Sequence, residues 1–354
     1  MTTASEDLLT VEHLRVGFHG ERGEVHAVDD VSFTLGRGEI VSMVGESGSG
    51  KSVSALTLMG LTRGPGTSIS GRAVLADGTD LITAPDERLR RIRGARISMI
   101  FQDPMSALTP VYRVGDQIVE QIRAHERVSR RSARARAIDL LGRVGIPRAR
   151  ERADDYPHQF SGGMRQRVMI AMALSCSPEI LIADEPTTAL DVTIQAQILG
   201  EIEAFREELG IGVLLITHDL GVVAEVANRV VVMYAGRVVE EAALRPLFTD
   251  PMHPYTWGLL GSVPRVDQER PPRLPTISGA PPSLLDPPPG CSFHPRCPHR
   301  FAPCDTEIPA LEDRVALGHA DRCHLAVADK RRLRVVDGAI GLPALAPSQA
   351  GEPA

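Results

Sequence analysis

The octapeptide GESGSGKS at Gly45–Ser52 constrains this chain more than any other stretch, because it fits G-x-x-x-x-G-K-[S/T]. Such a loop works only between a strand and a helix start. Its backbone N–H groups must close around phosphate oxygens while the helix N-terminus adds a favourable dipole. Here it follows the β-branched run EIVSMVG at 39–45 and opens a helical pattern, the context the motif requires. Gly45, Gly48 and Gly50 let the backbone close, and Ser47 and Ser49 complete the candidate nucleotide-binding set. Lys51 is placed to reach β- and γ-phosphates, and the Ser52 hydroxyl to bind Mg²⁺.

Further short apolar runs recur at ISMIF (97–101), ILIAD (180–184), VLLIT (213–217) and RVVVMYAG (229–236). Nearly continuous apolar strands suit a parallel sheet buried on both faces. Helical patterns lie between them, as in VGDQIVEQIRAHE (114–126) and GMRQRVMIAMALS (163–175), so the pattern predicts an α/β fold. Residues from about 103 to 176 hold helical patterns and no convincing strand, which predicts a helical insert. The chain of 354 residues has room for one large domain and a smaller one. Proline then punctuates the sequence at 271, 272, 275, 281, 282 and 287–289, where neither helices nor central strands can continue. The expected division is therefore 1–265, then a small irregular segment over 266–335, then a disordered tail over 336–354.

The second half of a phosphate site lies far downstream. ILIADEP puts Asp184 at the end of a buried strand, where it can hold Mg²⁺, and Glu185 beside it, where it can polarise an attacking water. Between the halves stands YPHQFSGGMRQRV, in which Ser161, Gly162 and Gly163 precede a helix. A hydroxyl, two glycines and free N–H groups make a second phosphate-binding helix start. One site does not need two such cradles, so two chains are expected to face each other.

With these motifs in place, residues 8–265 resemble the nucleotide-binding subunit of ATP-binding cassette transporters. GESGSGKS resembles Walker A, Gln102 in MIFQDP the Q-loop, FSGGM the signature, ILIADEP Walker B, TALD (188–191, with Asp191) the D-loop, and His218 in LITHDL the switch histidine. Phe18 lies where the family places an aromatic ring against adenine. The resemblance implies a P-loop fold with a mostly parallel sheet, an antiparallel β subdomain and a helical insert. It also implies two cassettes closing head to tail on ATP. Glu185 would activate water, His218 would contact the γ-phosphate, and Gln102 would ligate Mg²⁺ and face the membrane subunits. Met164 and Val53 depart from the usual residues at their motif positions, and neither removes a group the chemistry needs. Small-molecule kinases share the phosphate loop but lack FSGGM. Soluble cassette ATPases usually carry two cassettes or a coiled-coil insert, and an iron–sulfur scaffold with an incidental ATPase site would not need Glu185 and His218.

FQDPMSALTP, FSGGMRQRVMIAMAL, HPYTWGLL (253–260) and the tail CSFHPRCPHRFAPC…IPAL…CH resemble the dipeptide and oligopeptide importers, a match running to about residue 330. That resemblance implies a paralogous second ATPase, two transmembrane permeases and an external binding protein. Nickel chelates, glutathione or haem are alternative cargoes. The tail's Cys291, Cys297, Cys304 and Cys323 are spaced C-x5-C-x6-C-x18-C, without the close pairs of a zinc ribbon. Such thiols could hold a [4Fe–4S] cluster, a Zn²⁺ or nothing. The tail resembles a region that carries a cluster in some relatives, and a metal staple would help a core-poor segment fold. His294, His299, His319 and His324 are alternative ligands, and Cys176 is expected to be a buried structural thiol.

A net charge of −6 argues against nucleic-acid binding. No run approaches the roughly 18 apolar residues that span a bilayer, and MTTASEDLLTVEH lacks an apolar signal region. The expected location is the cytoplasmic face of the membrane, where disulfides are uncommon. The arginine-rich runs at 87–96 and 127–137 suggest solvated helix faces or contacts with membrane or permease.

Overall fold

The computed structural model describes residues 7–21, 23–103, 107–187, 191–262 and 276–336. Two sheets organise it. Strands β1 (Asp7–Gly20), β2 (Gly23–Gly36) and β4 (Thr67–Leu75) form an antiparallel sheet in the order β2-β1-β4. The second sheet has eight strands among the described residues. It combines β3 (Ile40–Val44), β5 (Ile97–Ile100), β6 (Ile180–Asp184), β7 (Gly212–Thr217), β8 (Arg229–Tyr234), β9 (Arg237–Ala243), β10 (Glu312–Asp313) and β11 (Ala320–Asp321), in the order β10-β11-β9-β8-β3-β7-β6-β5. The pairs from β8 to β5 are all parallel, and those from β10 to β8 are antiparallel.

The apolar runs explain the layering. Every residue of β3, β5, β6 and β7 is buried. Because successive side chains of a strand point to opposite faces, each run feeds two cores. Leu181, Ala183, Val213 and Leu215 join the helical side. Ile180, Ile182, Leu214 and Ile216 join the core beneath the antiparallel sheet and α1 (Lys51–Leu58). The helical side is built by α3 (Val114–His125), α4 (Arg130–Arg143), α5 (Ala149–Arg152), α6 (Gly162–Ala173) and α7 (Val192–Leu209); α2 (Asp86–Ile92) lies before β5. Helices α8 (Leu220–Val226), α9 (Leu244–Thr249) and α10 (Pro254–Gly261) cover the β8–β9 end.

The arginines of the 127–137 run are largely engaged within the helical insert. Arg130 pairs with Asp116, Arg134 with Asp154 and Arg136 with Glu126.

The small irregular segment after the proline-rich stretch contributes two short strands, β10 and β11. Its β11 pairs with β9 through Ala320↔Glu241 and Asp321↔Glu240, so it extends the main sheet. Buried Glu240 accepts from the N–H groups of Met252 (2.6 Å) and His253 (2.9 Å) and contacts His319 Nε2 (2.9 Å). Asp321 is paired with fully buried Lys330 of α11 (Val327–Val336). The expected boundary at 265/266, Pro271, Pro272 and Pro275, and the tail beyond 336 lie outside the described residues.

Candidate active site

Strands β3, β7, β6 and β5 are parallel, so their C-terminal ends share one edge of the sheet, where α/β proteins bind ligands. That edge collects the phosphate loop after β3, Gln102 just past β5, Asp184 and Glu185 at the end of β6, and His218 after β7. The loop needs its glycines. Gly45 has φ +152 and a side chain there would meet Met233 O at 2.1 Å; Gly50 has φ +101 and would meet Ala27 O at 2.4 Å. Lys51 is buried and donates to Gly45 O (2.8 Å), Glu46 O (2.9 Å) and Ser49 Oγ (3.2 Å). Burial pulls its pKa down, and the carboxylates of Glu185, Asp184 and Glu46 oppose that.

Ser52 Oγ donates to Asp184 Oδ1 at 3.0 Å. Burial raises the Asp184 pKa, while the Ser52 hydrogen bond works against the rise. A buried carboxylate and a hydroxyl meeting at the start of a helix fit Mg²⁺, which takes oxygen ligands and leaves room for phosphate. Glu185 is held on both oxygens: Oε2 accepts from Gln102 Nε2 at 3.0 Å, and Oε1 lies 3.0 Å from His218 Nδ1. Gln102, the expected Mg²⁺ ligand, gives its amide nitrogen to Glu185, so its side-chain carbonyl is the atom a metal would use.

Ser161 caps α6, its hydroxyl accepting from Met164 N at 3.3 Å, and stands exposed with Gly162. Asp191 caps α7 by accepting from Ile194 N at 3.0 Å; residues 188–190 of the same motif lie outside the described residues. Phe18 sits in β1 between Val25 and Thr67, half-buried against the second core. Ser161 and Asp191 make no hydrogen bond with the phosphate loop among the described residues. The arrangement thus holds the Walker half of a phosphoryl-transfer site, with the signature helix start presented outward.

These findings can be set beside known proteins. The family model "ABC transporter" matches residues 28–188, and "Oligopeptide/dipeptide transporter, C-terminal region" matches 239–304. The dipeptide transport ATP-binding protein DppD of Bacillus subtilis is 52% identical over 304 residues, covering 86% of this chain and 90% of that protein. The chain belongs to the ABC transporter family. Within it, the chain is an ATP-binding subunit of the dipeptide/oligopeptide importer type. A putative peptide import ATP-binding protein of Brucella abortus is 49% identical over 328 residues, covering 90% of this chain and 97% of the relative. The dimeric ATP-binding cassette MJ0796, in a post-hydrolysis state bound to ADP and Pi, superposes with a TM-score of 0.61 at 28% identity, over 67% of this chain and 99% of that one. Among the described residues no helix is long and apolar enough to cross a membrane.

Two importer-type features lie against the nucleotide site. His253-Pro254-Tyr255 opens α10: His253 Nδ1 accepts from Tyr255 N at 3.1 Å, as a neutral ring whose pKa burial pushes down to about 3. Tyr255 Oη then accepts from Glu46 N in the phosphate loop at 2.9 Å. In the sequence HPYTWGLL is legible only as a family mark, because a lone aromatic hydroxyl carries no spacing signal for this contact.

The second feature is the cysteine loop. Cys291, Cys297, Cys304 and Cys323 line one small cavity together with His253, His294, His299 and His324. Cys291 N donates to Cys304 O at 2.8 Å. Burial pushes the Cys297 thiol up to about 11 and Cys323 up to about 12. Among the described residues no group of three or more His, Cys, Asp or Glu side chains is set to hold a metal ion. His319 is committed to Glu240, away from this cavity. Cys176 is half-buried rather than buried, and its thiol faces Gln121 O at 3.9 Å.

Proposed function

We propose that this chain hydrolyses ATP to power import of dipeptides or oligopeptides across the cytoplasmic membrane. The observation that carries the reading is Glu185, fixed between Gln102 and His218 beside the Ser52–Asp184 pair. Relatives named as peptide import ATP-binding proteins support the cargo. Lys51 and the loop N–H groups hold the phosphates, and Ser52 and Asp184 would hold Mg²⁺, which neutralises phosphate charge when bound. Glu185 accepts the proton of the attacking water, and His218 orients that carboxylate and reaches the γ-phosphate. Gln102 reports on the site toward the permeases, and Phe18 packs on adenine.

Ser161, Gly162, Gly163 and Asp191 complete the site of a second cassette, the paralogous ATPase of a heterodimer. Two permeases and an external binding protein make up the rest of the complex, with this chain on the cytoplasmic face, where ATP is. The cassette spans 1–265 and the importer-type segment follows it.

In that segment we propose a [4Fe–4S] cluster on Cys291, Cys297, Cys304 and Cys323. Their convergence on one cavity supports a shared group. The group would staple the segment. About four irons and four sulfides per chain after anaerobic purification, lost in Cys297→Ser, is the expected result; stoichiometric zinc or no metal rejects the cluster.

Function is tested by ATPase activity in the complex reconstituted in vesicles with its binding protein. Stimulation by di- or oligopeptides is expected. Stimulation only by nickel chelates, glutathione or haem would move the cargo, and full activity without permeases would favour a soluble cassette ATPase.

A further inference from the structure

Position 46 is a free "x" in the phosphate-loop motif, so the nucleotide chemistry does not explain Glu46. Its side chain is nevertheless gripped. Arg296, between Cys291 and Cys297, donates Nη1 to Glu46 Oε2 at 2.6 Å and Nη2 to Glu46 Oε1 at 3.1 Å. The Arg296 side chain is only 5% exposed. Its remaining donors go to Tyr234 Oη (3.3 Å), Ile277 O (3.2 Å) and Ser278 O (3.0 Å), so all five guanidinium N–H groups have an acceptor. A paired fork of this kind fixes geometry as well as adding strength.

Glu46 is in turn a hub of the phosphate loop. Its carbonyl accepts from Lys51 Nζ at 2.9 Å and from Ser49 N at 3.2 Å, and its N–H is held by Tyr255 Oη at 2.9 Å. Moving Glu46 therefore moves an acceptor that places Lys51. The orientation of Arg296 depends on the cysteine loop: it closes the turn His294–Arg296, with Arg296 N on Phe293 O at 3.0 Å and Cys297 N on His294 O at 3.3 Å.

We propose that Arg296 is a positioning residue for nucleotide binding, holding Glu46 and through it the phosphate loop in the form that receives ATP. The order of the cysteine loop thereby sets ATP affinity through one side chain. This inference rests on the ATPase reading above.

The test is a double-mutant cycle on the full chain, reading Kd for MgATP with a fluorescent ATP analogue and, in the assembled complex, KM against kcat. Glu46→Gln and Arg296→Gln should each weaken MgATP binding about tenfold, the scale of one charge-assisted interaction. The double variant should be no weaker than either single one, KM should rise with kcat at saturating ATP nearly kept, and Arg296→Lys should fall between. Glu46→Gln leaves the cysteine loop untouched, so it decides the matter even if Arg296→Gln misfolds. Wild-type affinity in Glu46→Gln, or effects that multiply in the double variant, would overturn the proposal. If the wild-type chain binds no MgATP, as a Lys51→Ala control should not, the ATPase reading fails as well.

Discussion

His218 Nδ1 stands 3.0 Å from Glu185 Oε1, while the other carboxylate oxygen accepts from Gln102 Nε2. Glu185 is also held at φ 47, a left-handed conformation that a glutamate rarely adopts and that is retained only where surroundings enforce it. A carboxylate fixed at both oxygens on a strained backbone is aimed, not merely present. Glu185→Gln keeps the shape and one of the two acceptor oxygens but removes the proposed base. Steady-state ATP hydrolysis in the complex should fall by about 10²- to 10⁴-fold, the range for a general base, with ATP binding retained. His218→Ala should cost less, because Gln102 still orients one oxygen. Substantial turnover by Glu185→Gln would assign the base elsewhere.

The 3.0 Å contact between Ser52 Oγ and Asp184 Oδ1 gives a second expectation. If both are Mg²⁺ ligands, Asp184→Asn should raise the Mg²⁺ concentration needed for half-maximal MgATP binding while leaving Mg²⁺-free ATP binding nearly unchanged. Titration of Mg²⁺ at fixed ATP separates the two. An unchanged Mg²⁺ requirement would reduce Asp184 to a structural partner of Ser52.

Legibility in the sequence followed locality. The phosphate loop, Asp184-Glu185 and His218 are legible because each is a short motif at the end of a nearly continuous apolar strand. The two cores fed by alternate residues of β6 and β7 follow from the same runs. Strand β1 is harder to read, since register shifts between Val11 and Leu14 break its alternation. Strands β10 and β11 span two residues each and carry no period at all. β11 enters the main sheet by long-range pairing with β9, and β10 follows by pairing with β11. The Arg296–Glu46 fork joins residues 250 positions apart, and nothing local in either segment marks it.

Glu240 shows how much that long-range joint matters. It is fully buried, and its two oxygens serve Met252 N, His253 N and His319 Nε2. Glu240→Ala would leave two backbone donors without acceptors at the start of α10. Destabilisation of about 3 kcal/mol or more is expected, since orphaned buried donors to a charged group are expensive. Denaturant unfolding should show it as a lower midpoint, with increased hydrogen exchange in α10 and β11. A change below about 1 kcal/mol would mean that water reaches these groups, as it does at the surface.

The pH dependence of stability should carry a signature of Glu201. On α7 it meets Arg167 Nη1 of α6 at 2.8 Å, yet its Oε2 is buried without a hydrogen-bond partner. Burial raises its pKa to about 7, and the attraction of Arg167 offsets only part of that rise. The sign follows from proton counting. Between the unfolded value near 4.5 and about 7, the folded chain binds more protons at this site than the unfolded chain does. The stability contribution of Glu201 is therefore fully present below about 4.5 and is lost as pH rises through about 7. Glu201→Gln removes this term and leaves Arg167 its acceptors Val144 O (2.8 Å) and Gln197 Oε1 (2.7 Å). Across the window, wild type should lose stability relative to Glu201→Gln by up to about 1.4 kcal/mol per pH unit. Urea unfolding of both proteins from pH 5 to pH 8 measures the gap. Parallel curves would show that Glu201 titrates normally and that the ion pair with Arg167, not burial, governs it.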